Sequence, residues 1–295
     1  MKLFLAGAND KNWCEAVYLV NHPNFLTSYY EHRKGFKDSW IYWYQKTKKL
    51  GASWIMDSGL FTMMFGAGSD KKYSEKELLE YTHKYLNDMK KIGYKDYIVE
   101  MDVHKVLGLT ALKKFRKIFE KNYPIEKTIF VWHIEEKEKG FKELCKKYPY
   151  IAISIPELRI VLKGRKSLKN AVKHLINVAN NINPNIKIHL LGCTQQDLME
   201  QKGYYSCDST AWLSAGRFGD GYYWNMNKLA QLRTNSLGWS KYAEEMKPIV
   251  WKHQEAINMN QYYLNIILSG IAFSRFNEYI NNKYYNYEPV KKLIK

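Results

Sequence analysis

Two carboxylates, Asp57 and Asp208, end apolar runs and are followed by small polar residues. Asp57 lies in the segment SWIMDSGLF, and Asp208 lies in YYSCDSTAWLSAGRFG. Two carboxyl groups that share one substrate suit glycosyl chemistry, because one can attack the anomeric carbon while the other handles the proton of the leaving group. We therefore predict that Asp57 and Asp208 form a catalytic pair. Each has a structural alternative, since Asp57 before Ser-Gly could form a turn and Asp208 before Ser-Thr could cap a helix.

Polar residues also follow the other apolar runs of the chain. Ser58 and Gly59 accompany Asp57, and the remaining positions are Asp102, His104, His133, Glu135, Pro156, Glu157, Gly192, Ser209 and Thr210. Two of them have structural alternatives, because Asp102 could cap the following helix and His133 could be a core histidine with satisfied hydrogen bonds. Neither His104 nor His189 has a cysteine or carboxylate at a matching spacing, so we predict neither as a metal ligand.

The segment SAGRFGDG, shortly after Asp208, is a candidate phosphate site. Its glycines free the backbone to approach an anion, and the guanidinium of Arg217 can form two parallel hydrogen bonds to a phosphate. A flexible turn with a solvated arginine is the alternative. We predict that Arg217 contacts a nucleic-acid phosphate.

The elements that position these residues follow a regular rhythm. Short β-rich apolar runs alternate with helix-like segments; the runs lie near 2–7 and at 53–59, 97–103, 128–134, 150–155, 187–193 and 204–210. One intervening segment begins at Ser74, a residue type that caps helices, and closes on Gly93. Strands buried on both faces and separated by helices indicate parallel βαβ units.

Seven such strands in 295 residues predict an α/β fold, a (β/α)8 TIM barrel with a C-terminal helical extension. A doubly wound open sheet is the alternative. We place the barrel at 1–252 and the extension, packed on the same domain, at 253–295. The gap at 8–52 is expected to hold a helix and an irregular loop, and the eighth strand is expected at 221–227 or at 247–251. In a barrel, the residues at the strand ends would meet at one mouth.

The charge balance favours a polyanionic partner. The chain has 46 Lys and Arg against 29 Asp and Glu, a net charge of +17, which points to nucleic acid. The alternative is a lysine-rich solvated surface. We find no apolar run that could span a bilayer and no secretory signal, so we expect a cytoplasmic protein without membrane contact. The four cysteines, Cys14, Cys145, Cys193 and Cys207, show no CxxC spacing, so we predict no metal site and no cofactor.

Four short motifs resemble those of the tRNA-guanine transglycosylases. DSGLF (57–61) resembles the DSGGF-type element, and VEMDV (99–103) resembles the segment with a purine-reading Asp. HLLG (189–192) is similar to the His-x-x-Gly strand, and CDST (207–210) is similar to the nucleophile segment. Order and spacing agree over roughly 50–215. The sequence looks most like the DpdA-type DNA-guanine transglycosylases of phages and bacterial DNA-modification clusters.

The resemblance implies an enzyme that exchanges guanine in DNA for a 7-deazaguanine such as preQ0. Asp208 would be the nucleophile that attacks C1′ and forms a covalent intermediate, and Asp57 would be the general acid and base. Asp102 would accept hydrogen bonds from the purine. The other implied substrate-binding residues are His133, Ser58, Gly59, Gly192 and Glu157. The target guanine would have to leave the DNA stack, and accessory DNA-modification proteins are possible partners.

The sequence also departs from the family. The tRNA enzymes carry a CxCxxC…His zinc site towards the C-terminus, whereas no cysteine follows Cys207 here, so we expect no zinc subdomain. IAISIPE stands where the family has a Gly-Gly stretch. The first departure favours DNA over tRNA, and the second leaves the incoming base open. The alternatives are a transglycosylase acting on tRNA, a non-catalytic nucleic-acid-binding barrel, and a glycosidase acting on a carbohydrate or nucleoside.

Overall fold

Eight short parallel strands pair in chain order and close into a barrel, because the first strand also pairs with the eighth. The computed structural model describes residues 1–65, 73–226, 228–251 and 260–284. The barrel strands are β1 Lys2–Ala6, β2 Asn24–Ser28, β3 Ser53–Asp57, β4 Tyr97–Val99, β5 Thr128–Trp132, β6 Tyr150–Ser154, β7 Lys187–Leu191 and β8 Ser206–Ser209. The predicted TIM barrel is therefore confirmed, and the open sheet is excluded.

Helices connect the strands on the outside. They are α1 Lys11–Leu19, α2 Tyr29–His32, α3 Asp38–Lys49, α4 Leu60–Phe65, α5 Glu75–Lys91, α6 His104–Asn122, α7 Lys137–Lys147, α8 Ile155–Val161, α9 Arg165–Ile182, α10 Gln196–Met199 and α11 Ser214–Arg217, with α12 Leu237–Trp251 and α13 Gln261–Tyr284 after the barrel. Helix α5 begins as predicted, because Ser74 and Glu77 form a capping box in which each side chain accepts from the backbone N–H of the other.

The prediction for the eighth strand is wrong at both positions. The missing strand is β2, inside the gap at 8–52, which also holds α1, α2 and α3. Two of the five β2 residues, Asn24 and Thr27, are polar yet buried, so the strand does not form an apolar run. The segment 221–227 contributes instead to β9 Asp220–Asn225, which pairs antiparallel with β10 Lys228–Arg233 outside the barrel, and 247–251 lies in α12.

Alternation along the strands builds two layers of core. One cluster lies inside the barrel and consists of Phe4, Ala6, Leu26, Ile55, Tyr97, Val99, Ile129, Val131, Tyr150 and Ala152. Residues at the intervening positions, such as Leu5, Trp54 and Ile151, belong to the larger cluster between strands and helices. Because successive side chains of a strand point to opposite faces, a residue two positions beyond an interior residue also points inward.

Helix α13 covers β1 and the β9–β10 hairpin. Its buried asparagines bind backbone groups: Asn277 accepts from the Leu3 N–H at 3.1 Å, and Asn281 accepts from the N-terminal amine at 2.8 Å. The predicted extension therefore contains a helix packed on the barrel, although its boundary at residue 253 lies outside the described residues. None of the helices in the described ranges combines the length and the hydropathy that a membrane span needs.

Candidate active site

The alternation of the strands carries the predicted pair into the barrel mouth. Asp57 follows the interior residue Ile55 by two positions, and Asp208 follows Ser206 by two. His133 likewise follows the interior residue Val131. All three stand at the carboxyl ends of parallel strands, where TIM-barrel enzymes place their active sites. This arrangement is compatible with enzyme activity.

One oxygen of Asp208 is held firmly. Its Oδ1 accepts from the Gly192 N–H at 2.8 Å and lies 3.2 Å from Nε2 of His189. The side chain of Asp208 is only 10% exposed. Among the described residues, none hydrogen-bonds to Oδ2, so the second oxygen remains available to a substrate. His189 lies in β7 and Gly192 directly follows it, so the carboxylate of Asp208 does not cap the following helix and that alternative is wrong. The Ser209 hydroxyl, not Asp208, accepts from the nearby Ala211 N–H.

A chain of buried hydrogen bonds extends behind Asp208. Nδ1 of His189 lies 2.7 Å from Oγ of Ser206, which lies 2.5 Å from the hydroxyl of Tyr150. Burial raises the pKa of Tyr150, so its hydroxyl keeps its proton. If the imidazole of His189 is neutral, one arrangement gives every proton of the chain an acceptor. In it the Tyr150 hydroxyl donates to Ser206, the Ser206 hydroxyl donates to Nδ1 of His189, and Nε2–H of His189 donates to Asp208. The chain then fixes both the tautomer of His189 and the position of Asp208.

The carboxyl group of Asp57 has a different environment. Its Oδ2 accepts from the Gly59 N–H at 3.0 Å. The residue is partly exposed, yet protein atoms surround its carboxyl group. Burial is the main cause that raises the pKa of Asp57 to about 7, and the nearby carboxylates of Asp102 and Asp208 raise this pKa further. The hydrogen bond from the Gly59 N–H acts in the opposite direction and lowers it. A carboxyl group with this pKa can both give and take a proton near neutral pH.

The turn after Asp57 is rigid. Gly59 has φ +75°, and a Cβ there would lie 2.4 Å from Oγ of Ser28 and 2.9 Å from the backbone nitrogen of Tyr30. The buried Ser58 accepts at its carbonyl from the Tyr81 hydroxyl at 2.7 Å. Ser58 and Gly59 thus shape the turn beside Asp57. Asp57 also forms the turn that was its structural alternative, because its side chain accepts a hydrogen bond from the Gly59 N–H within that turn.

Asp102 does not cap the helix that follows. Helix α6 begins at His104 with Val103 at its N-cap position, and no side chain hydrogen-bonds to its first N–H groups. Only the backbone carbonyl of Asp102 has a partner in the described part of the chain, Nδ1 of His104 at 3.1 Å. Its carboxylate, which acts on the pKa of Asp57, is therefore available to a ligand.

The predicted substrate residues His133 and Glu157 contact each other. Nδ1 of His133 lies 3.4 Å from Oε2 of Glu157, and Nε2 of His104 lies 3.0 Å from Oε1. Burial raises the pKa of Glu157, but hydrogen bonds from His104, His133 and Lys105 outweigh it and bring the pKa well below its usual value. His133 is buried, but no described residue hydrogen-bonds to its Nε2, so it is not the satisfied core histidine of the alternative.

The structure also shows the surroundings of Gly192 and Arg217. Gly192, predicted to bind substrate, uses its N–H to hold Asp208, and a Cβ there would lie 2.9 Å from Cγ of Pro156. Arg217 is exposed at the end of α11, and the described residues offer it no ion pair. It therefore lies free for an anion.

Sequence reasoning missed the groups that support the site. His189, Ser206 and Tyr150 were not predicted to position Asp208, although Ser206 shares the inward alternation with it. It also missed the buried Arg116, which donates from Nε to Glu100 at 3.0 Å and from Nη1 to Glu136 at 2.6 Å. Burial raises the pKa of Glu100 to about 7 despite the charge of Arg116. The ion pairs of Arg116 connect α6 to the ends of β4 and β5, and no sequence motif predicts them.

Two sequence comparisons with known proteins found nothing that matches. No family model matches the chain, and no curated protein matches it in a sequence comparison.

Proposed function

We propose that the protein is a base-exchanging transglycosylase that replaces guanine in DNA with a 7-deazaguanine base through a covalent intermediate on Asp208. One observation carries the proposal: two carboxyl groups at one barrel mouth differ in their surroundings in the way that a nucleophile and a general acid and base require. Asp208 has one fixed and one available oxygen. Asp57 has a pKa of about 7.

The proposed reaction has two steps. In the first, Oδ2 of Asp208 attacks C1′, the bond between C1′ and the base breaks, and the electron pair leaves with the base nitrogen. Protonated Asp57 neutralises that nitrogen. In the second step, ionised Asp57 takes a proton from the incoming base, whose nitrogen attacks C1′ and releases Asp208. A pKa of about 7 lets Asp57 occupy both protonation states in one cycle.

Recognition of the base and of the DNA would fall to other residues. The available carboxylate of Asp102 suits the donors of a guanine edge, namely the exocyclic amine and the ring N–H. The net charge of +17 and the exposed Arg217 suit a phosphate backbone. The target guanine would have to be flipped out of a duplex before its C1′ reaches Asp208.

Two observations weigh on the alternatives. The hydrogen-bond chain behind Asp208 supports catalysis over a barrel that only binds, because a binding protein has no need of a carboxylate aligned in this way. The sequence contains no cysteine after Cys207, which supports DNA over tRNA through the resemblance stated above.

The test is a base-exchange assay. Purified protein is incubated with radiolabelled guanine or preQ0 and, separately, with duplex DNA, single-stranded DNA and bulk tRNA. We expect label in DNA, lost in Asp208→Asn and kept in Asp38→Asn, which changes an exposed aspartate of the first turn of α3. Label in tRNA alone would assign the tRNA reaction. No label in any substrate, with tight DNA binding, would contradict catalysis by the chain on its own.

A further inference from the structure

Three residues at neighbouring strand ends form a group that the proposed reaction does not use. His104 begins α6 after β4, His133 directly follows β5, and Glu157 lies in α8 after β6. One potential ligand atom from each lies within 4.8 Å of the other two. The barrel thus brings two imidazoles and a carboxylate together from three separate loops.

The donor atoms of this group, which we call the His-His-Glu cluster, lie near the spacing found around a small metal ion. Nε2 of His104 lies 3.0 Å from Oε1 of Glu157, and Nδ1 of His133 lies 3.4 Å from Oε2. Zinc binds nitrogen and oxygen at about 2.0–2.2 Å, so tetrahedral ligands lie about 3.3–3.5 Å apart. Oε2 of Glu135, at 3.7 Å from Nε2 of His104, is near enough to serve as a fourth ligand.

An unsatisfied nitrogen is the second observation. His133 is 1% exposed, and its Nε2 finds no hydrogen-bond partner in the ranges that the structure describes. Leaving a buried polar group unpaired costs about 1–3 kcal/mol, so such a group calls for a partner that the protein part of the structure does not supply. A bound ion would supply it directly or after rotation of the ring.

The two imidazoles differ in how firmly they are held. When Nδ1–H of His104 donates to the Asp102 carbonyl at 3.1 Å, the lone pair of Nε2 is left for a metal, as in many metal sites, and the metal then replaces the hydrogen bond between Nε2 and Glu157. The two rings stack with centroids 3.4 Å apart and planes 21° apart, so both lone pairs cannot meet at one point as the rings stand. A shared metal therefore requires the His133 ring to rotate, since its Nε2 has no hydrogen-bond partner among the described residues.

The charge around the cluster already attracts a cation. Glu135 and Glu157 share the ammonium group of Lys105, which contacts Glu135 and lies 3.0 Å from Oε1 of Glu157. The two carboxylates carry one more unit of charge than the single ammonium group opposes. The Lys105 side chain is 46% exposed, so a divalent ion can displace its ammonium into solvent.

From this geometry we propose that the His-His-Glu cluster binds a divalent transition metal of the zinc class. The ligands are Nε2 of His104, one ring nitrogen of His133 and the carboxylate of Glu157, with Glu135 as a fourth candidate. Two imidazoles and one carboxylate are a ligand set that binds Zn²⁺ in proteins and leaves an open position. The sequence prediction of no metal ligand is replaced by this proposal, which stands independently of base exchange.

The test uses the full chain, purified without a histidine tag and freed of metal with a chelator. Co²⁺ is titrated in, because tetrahedral Co²⁺ absorbs visible light, and Zn²⁺ binding is followed by calorimetry. We expect one ion per chain. His104→Ala, His133→Ala and Glu157→Gln should each weaken binding about 100-fold or more, beyond the about 10–100-fold typical of losing a supporting group.

Two further variants distinguish Co²⁺ binding at the His-His-Glu cluster from adventitious binding elsewhere on the protein. His174→Ala is the matched control, since His174 also pairs with a glutamate, Glu138 at 3.3 Å, but on the exposed surface of α9 and α7; it should bind Co²⁺ normally. Lys105→Met removes the competing ammonium without touching a ligand and should tighten binding. The proposal is overturned if Co²⁺ does not bind stoichiometrically, if both His104→Ala and Glu157→Gln bind normally, or if Lys105→Met weakens binding.

Discussion

The two carboxylates of the predicted pair share one barrel mouth but differ in what surrounds them. Asp208 receives hydrogen bonds from a buried imidazole and a backbone N–H, and a hydrogen-bond chain through Ser206 to Tyr150 supports that imidazole. Within the described part of the chain, Asp57 receives hydrogen bonds from backbone N–H groups only, and it lies near the charges of Asp102 and Asp208. In the proposed reaction, one fold thus supplies a positioned carboxylate on β8 and a proton-exchanging carboxylate on β3. Neighbouring groups, not residue type, divide the two roles.

Asp208→Asn should have the largest effect. The amide keeps the shape of the side chain but is a far weaker nucleophile, so we expect base exchange to fall by about 10⁴-fold or more. Affinity for DNA, measured by fluorescence anisotropy at fixed salt, should stay nearly the same. Lost affinity with intact exchange would reverse the role given to Asp208.

Asp57→Asn should lower base exchange by about 10²–10⁴-fold, the usual contribution of general acid–base catalysis. It should also remove the limb of the pH–rate profile near pH 7, where Asp57 titrates in the wild type. The profile is measured as kcat/KM between pH 5 and 9. A limb near pH 7 that survives in the variant would assign the proton to another group.

The same substitution makes a prediction for stability. A carboxyl group with a folded pKa of about 7 binds its proton more tightly in the folded than in the unfolded state, where the pKa is about 3.9. Its contribution is therefore largest below pH 4 and is lost as the pH rises towards 7. Relative to the wild type, Asp57→Asn should gain about 2–4 kcal/mol of unfolding free energy between pH 4 and pH 8. Urea denaturation at both pH values measures the difference.

His189→Ala tests whether the imidazole of His189 positions the carboxylate of Asp208. Removing a hydrogen bond to a charged group costs about 1.5–3 kcal/mol, so we expect kcat to fall by about 10–100-fold with KM little changed. His189→Gln, whose amide can still donate to Asp208, should recover part of the loss. Tyr150→Phe, which removes the far end of the chain, should have a smaller effect than His189→Ala. If KM rises instead, His189 binds substrate rather than positioning Asp208.

The rigid turn beside Asp57 can be tested with two glycines. Gly59 and Gly93 both have positive φ, at +75° and +64°, but a Cβ on Gly93 would meet nothing within 4 Å. Gly93→Ala should therefore cost only the backbone strain, about 1 kcal/mol, whereas Gly59→Ala should cost about 2 kcal/mol more through its contacts with Ser28 and Tyr30. Thermal denaturation compares the two variants. Equal losses would mean that the turn can shift to admit a methyl group.

The sequence revealed most of the barrel because the physics of its strands is local. Strands buried on both faces give apolar runs, and alternation fixes which residues point inward, so Asp57 and Asp208 could be placed at the mouth. Strand β2 was missed because Asn24 and Thr27 are buried polar residues. Thr27 lies 3.0 Å from Asn9 and 2.9 Å from His32, so hydrogen bonds compensate its burial. Such compensation depends on partners that the sequence does not place.

The supporting groups of the site depend on pairing between strands. His189 and Ser206 face each other only because β7 and β8 pair in this register, and Ala152 is the partner of His189 on β6. The His-His-Glu cluster depends further on how three loops bend after their strands end. Neither the register nor the loop conformation leaves a motif in the sequence, so chemistry-bearing residues were predicted better than the residues that position them.

Arg217 should have the smallest effect of the predicted residues, because it is exposed and takes no part in the proposed chemical steps. If it contacts a phosphate, Arg217→Ala should weaken DNA binding by a modest factor that does not depend on sequence. It should also reduce the slope of log affinity against log salt by about 1, since one fewer counterion is released. Arg275→Ala, in α13, is the matched comparison and should leave the slope unchanged. The slope is measured by anisotropy between low and moderate salt. An unchanged slope in Arg217→Ala would leave Arg217 as a solvated turn residue and move the phosphate contacts to other cations of the surface.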